Sequence, residues 1–137
     1  MSDDESHTPK SSPRAWEEKQ VEYAAFADRL GGYADDMVAL LSAHGEVNWT
    51  RIYARFGRDI RLAKTDKSRR KALEAIESIY GGMGSWNDFY LQALGEAEST
   101  RTSLSHAISR GAKEMLALIE QEPREPKRSF WQQIFGS

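Results

Sequence analysis

The residues best placed to do chemistry lie in one stretch, Tyr80-Gly81-Gly82-Met83-Gly84-Ser85-Trp86-Asn87-Asp88. Three glycines there leave backbone amides uncovered between polar side chains. Amides around Gly82 to Ser85 would form an anion-binding nest, and Asn87 and Asp88 would be polar ligands in a pocket beside Trp86. The same residues also read as a corner between two helices. Gly81 and Gly82 end a helix at Tyr80 without a Cβ penalty, and Gly84 turns the chain again. Ser85 then caps a new helix with Asp88 three positions on, while Met83 and Trp86 plug the corner. Neither GxGxxG nor GxxxxGK[ST] spacing is present, and no strand precedes the stretch. Ser85 has no base beside it in sequence. The spacing favours the corner and leaves the ligand loop as an alternative.

The rest of the chain offers no catalytic set. His7, His44 and His106 lack metal-site spacing. Asp35 with Asp36, and Glu74 with Glu77, read as solvated helix faces rather than an acid/base pair. With no cysteine, disulfides and thiol chemistry are excluded. The expectation is therefore a protein with no catalytic residue, metal or cofactor, and more a binder than an enzyme.

Charge gives a second candidate surface. Arg51, Arg55, Arg58, Arg61, Lys64, Lys67, Arg69, Arg70 and Lys71 face only Asp59 and Asp66 in that interval, whereas residues 72 to 100 hold five acids and no base. The whole chain is at −2, so the charge is polarised. Arg51, Arg55 and Arg58 share one side of a helix, where guanidinium groups suit phosphates or an acidic protein partner.

Four helical patterns must carry these residues. Tyr23, Phe26, Leu30, Tyr33, Met37, Leu40 and His44 step by three and four, which predicts a helix over about 16 to 44. Gly31 and Gly32 either bend it or divide it in two. Gly45 is a stop and Asn48 a cap for a second helix with Trp49, Ile52, Tyr53, Phe56, Ile60 and Ala63 on one stripe. Asp66 is the expected cap of a third, with Leu73, Ile76, Ile79 and Tyr80 inside. A final helix over about 101 to 121 places Leu104, Ile108, Gly111, Met115, Leu118 and Ile119 together. The fold expected is all-α, an irregular bundle of four to five helices with a disordered N-terminal tail.

At 137 residues the chain has room for one domain. Residues 1–14 are polar with two prolines and read as the disordered tail, 15–122 as a single helical domain, and 123–137 as a proline-containing linker and a short apolar segment. In that segment Phe130, Trp131, Ile134 and Phe135 form one stripe if helical, suited to folding back on the domain or entering a partner's groove. No run approaches the ~20 apolar residues of a membrane span. The start "MSDDESHTPKSSPR" has neither a basic nor an apolar leader region, so the expected location is cytoplasmic.

"SIYGGMGSWNDFYL" resembles the signature of an uncharacterised family of small helical bacterial proteins, a domain of unknown function with the pattern YGGMGSxND. The likeness spans about residues 37 to 94 and is sharpest from Tyr80 to Asp88. It implies a helical fold and a bacterial context, and no activity. Three functions fit these observations. The first is a non-catalytic protein-binding module, an inhibitor or immunity-type partner that uses the arginine face or the aromatic segment. The second is a nucleic-acid binder on the basic 51–71 face. The third is a small-ligand or enzymatic pocket at residues 80–88.

Overall fold

The computed structural model describes residues 13–80 and 95–121. Four helices follow in order: α1 (Pro13–Ala43), α2 (Asn48–Leu62), α3 (Asp66–Glu77) and α4 (Glu96–Gln121), with a 3-10 turn (Ser78–Tyr80) extending α3. Among the described residues there is no strand, and the fold is an all-α bundle as the periodicity implied. Residues 1–12 of the expected N-terminal tail, Gly81 to Asp88, and Phe130, Trp131, Ile134 and Phe135 lie outside the described residues, whereas Pro13 and Arg14, expected in the tail, open α1 with proline in its favoured first turn.

Each helix packs on two neighbours. α1 meets α2 and α4, and α3 closes the ring from the other side. The short links before α2 and α3 force those neighbours to run antiparallel, and α4 runs antiparallel to α3 because Glu77 meets Ser109 while Tyr80, further on, meets the earlier Ser105, giving an up-down-up-down order. The core is built from one stripe per helix: Tyr23, Leu30, Met37 and Leu41 from α1, Tyr53, Phe56 and Ile60 from α2, Leu73 and Ile76 from α3, and Ile108, Met115 and Ile119 from α4. Burying each large aliphatic side chain contributes about 1.5–3 kcal/mol.

The helix ends show how local chemistry sets the boundaries. Gly45, at φ 75°, provides the left-handed residue that lets α1 stop and the chain reverse. Asn48 is not the cap of α2. Val47 occupies that position with no side-chain bond, and Glu46 accepts from the amides of Asn48 (3.0 Å) and Trp49 (3.4 Å) instead. Asp66 is not a cap either, because Thr65 takes the role and forms a reciprocal capping box with Ser68. Asp66 then stands in the first turn, where its charge favours the helix dipole and reaches Arg69. α4 begins at Glu96, five residues before the expected start.

Gly31 and Gly32 divide nothing, since α1 is one helix through both. A Cβ at Gly31 would run into the Arg61 guanidinium, whereas one at Gly32 would meet nothing. Gly31 is thus a seat for Arg61, which grips Asp35 from across the α1/α2 seam (2.9 and 3.2 Å). The same logic holds on the other side of α1, where a Cβ at Gly111 would come within 2.5 Å of Leu30.

Candidate functional site

Two surfaces of the bundle can do something, and they lie on different faces. The first is a polar cleft where the 3-10 turn meets α4. Tyr53 and Tyr80 place their hydroxyls 3.1 Å apart, and Ser105 from α4 hydrogen-bonds to both. Arg101 donates from Nε to both carboxylate oxygens of Glu98 at 2.9 Å, and Ser109 donates to Glu77 at 3.2 Å. The i,i+3 spacing of Glu98 and Arg101 on one helix makes that pairing local. Burial pushes the Tyr53 phenol well above its ordinary range, with the neighbouring Tyr80 adding to the rise, and burial raises Tyr80 as well. They therefore act as neutral hydrogen-bonding groups and not as bases or nucleophiles.

Beside this network opens a cleft of about 370 Å³ lined by Tyr80, Arg101, Thr102, Ser105, His106, Ser109 and Lys113. Arg101 on its wall is paired with Glu98, and the Glu77 carboxylate accepts from Ser109 at its edge, so acids accompany the bases around the cleft. Tyr80 is the one residue of the Tyr80 to Asp88 stretch among those described, and it is anchored to Tyr53. Among the described residues no group of three histidines or carboxylates converges to hold a metal. His44 in the turn after α1 and His106 on α4 are both exposed.

The second surface is the groove along the outer side of α2 and α3, a trough of about 650 Å³. Its floor is Ile52, Phe56, Leu62, Ala72, Ile76 and Ile79. Ile52 is 37% exposed and Leu62 65% exposed, and they stand ten residues apart on α2, about 15 Å along its axis, toward opposite ends of the trough. Arg55, Arg58 and Lys71 stand on its walls together with Asp59. The groove is the outer edge of the core between α2 and α3. Phe56, Ala72 and Ile76 are buried core residues at its base, and the more exposed Ile52 and Leu62 carry the apolar surface outward.

The sequence-predicted residues divide accordingly. Arg55 and Arg58 line the groove, and Arg51 is exposed on the same helix outside it. Ile52, expected inside, belongs to the groove. Arg69, counted with the basic face, is 6% exposed and sits in the interior, its guanidinium 4.9 Å from the centre of the Tyr23 ring and 3.4 Å from Asp66. Arg61 is committed to Asp35, and both Arg55 (3.9 Å) and Arg58 (3.1 Å) approach Asp59. The field of the 51–71 segment is thus weaker than its count of bases implies. Sequence reasoning missed Leu62 and Lys71 as groove residues. The signal was the offset apolar run Ile52, Phe56, Leu62 beside the inner stripe.

Residues 42–99 match the family model described as Domain of unknown function (DUF6966). The matched segment takes in all of α2 and α3, and hence the groove, as well as Tyr80 and the start of α4. The likeness to an uncharacterised domain family is thereby borne out, with no activity attached. No curated protein and no solved structure matches the chain. No helix among the described residues is long and apolar enough to cross a membrane.

Proposed function

We propose that the chain is a non-catalytic protein-binding module whose α2/α3 groove receives an amphipathic helix with acidic flanks. The observation that carries this reading is the open apolar trough with Ile52 and Leu62 at its lip and Arg55, Arg58 and Lys71 on its walls. Helix-in-groove recognition needs a floor for apolar anchors at i, i+3/i+4 and i+7, together with polar edges that fix register. Acidic residues on the incoming helix meet the three bases, which speeds encounter and selects against basic partners. The polarised charge of the chain agrees with an inhibitor or immunity-type role toward another protein in a bacterial cytoplasm.

Nucleic acid is the weaker reading, because Arg61 and Arg69 are held by Asp35 and Asp66 and are not presented as a phosphate-binding row. The test compares capture from nuclease-treated lysate of the source cells by the full chain, by Ile52→Glu/Leu62→Glu, and by Val21→Glu, an exposed position away from the groove. One protein retained by the full chain and by Val21→Glu but lost by the groove variant is the expected result. Equal capture by all three, or capture that vanishes with nuclease, contradicts the proposal.

A further inference from the structure

We infer that the hollow where α1, α2 and α3 meet is a binding site for a small zwitterion of the amino-acid class, with its carboxylate on Lys64 and Arg69 and its ammonium on Asp28. The inference goes beyond the proposed function, because this hollow lies on the α1 side of α2 and shares only Ala63 with the groove.

Three elements build the hollow, which measures about 280 Å³. Its floor is the buried Tyr23, Ala27 and Ile60. Its charged wall is Asp28 from α1, Lys64 from the link between α2 and α3, and Arg69 from α3. Short side chains at Ala24, Ala27 and Ala63 leave the space open between them. Arg69 is buried and fixed in position, its guanidinium 4.9 Å from the centre of the Tyr23 ring and 3.4 Å from Asp66. A guanidinium carries a fork of five donors, and away from bulk water the hydrogen bonds it gives to a carboxylate are strengthened.

The pattern of charges sets the class of ligand. Arg61, also on the wall, gives both Nη groups to Asp35, and Arg69 is matched by Asp66. That leaves Lys64 and Asp28, one base and one acid in the same hollow, and neither forms an ion pair among the described residues. A hollow so balanced does not concentrate plain anions or plain cations. An anion drawn to Lys64 is repelled by Asp28, and a cation drawn to Asp28 is repelled by Lys64. A molecule with an acid and an ammonium a few bonds apart satisfies both. The volume falls below the ~300–1,000 Å³ of sites for drug-sized ligands and suits a free amino acid. Tyr23, Ile60 and the alanines receive its aliphatic part, and the Gln20 amide adds a donor and an acceptor.

The test titrates the isotope-labelled full chain with each of the standard free α-amino acids and follows backbone amide shifts by NMR. At least one is expected to saturate with a Kd below about 10 mM, with shifts centred on Tyr23, Asp28 and Lys64. For that amino acid, the amine lacking its carboxylate and the acid lacking its ammonium should each bind about tenfold more weakly or worse. Asp28→Asn and Lys64→Gln change exposed side chains, so the fold is kept, and each should weaken binding about tenfold. Lys113→Gln, an exposed change on α4, should leave it unaltered. The inference is overturned if no amino acid saturates below about 10 mM, if the shifts centre elsewhere, or if the analogues or the two pocket variants bind as tightly as the originals.

Discussion

Above pH 10 the bundle is expected to lose up to about 2.7 kcal/mol of stability for each further pH unit. Tyr53 and Tyr80 are both raised above the ordinary tyrosine value, first by burial. In the unfolded chain their phenols ionise near pH 10, while in the bundle they keep their protons. A group whose folded pKa is raised contributes stability that is complete below the unfolded value and is lost as pH climbs toward the folded one. Each such phenol contributes a slope of about 1.4 kcal/mol per unit, and there are two. Urea unfolding at pH 9, 10.5 and 11.5 measures the loss. Tyr80→Phe should lower the slope, because it removes one phenol and one cause of the rise at Tyr53, which separates the tyrosine share from that of lysines. A slope unchanged by Tyr80→Phe would mean that the hydroxyl pair is open to water in the folded state.

Leu73→Ala is expected to cost about 2–5 kcal/mol, a large part of the roughly 5–15 kcal/mol that holds a domain together. Leu73 is fully buried in α3, a helix of 12 residues that must bridge α2 and α4. Truncation there leaves a cavity in the shared core, which close packing cannot fill cheaply. Leu62→Ala, also a leucine within the α2–α3 pair, should change stability by no more than about 0.5 kcal/mol, since its side chain is mostly in water. Chemical denaturation with unchanged m-values checks both. Similar costs at the two positions would place Leu62 in the core and remove the groove.

The contrast between those leucines also marks where sequence reading ends. A period of three and four found the helices because burying one stripe is what forms them, and Leu30, Met37, Phe56, Ile76 and Met115 fell on the inner side as expected. Caps were harder. Asp66 and Asn48 have the right chemistry, but Thr65 and Glu46 already satisfied the same amides, and only coordinates decide between adjacent candidates. The Gly31–Gly32 pair looked like a break because the residue that needs Gly31, namely Arg61, lies thirty positions away on another helix. Arg69 was read as surface for a similar reason. Its Tyr23 and Asp66 partners become visible only when α1 and α3 are side by side. The site divides in the same way. Arg55 and Arg58 stand on the groove wall, yet the floor between α2 and α3 depends on how closely the two helices pack, which no single stripe of residues reveals.

The most direct measurement is hydrogen–deuterium exchange of the full chain with and without the protein captured through it. Added protection is expected along the outer side of α2 and α3, from Ile52 to Leu62 and from Ser68 to Ile79. Protection confined to the Tyr80, Arg101 and Ser105 cleft, or spread over α1 and α4 while the groove stays unchanged, would contradict it.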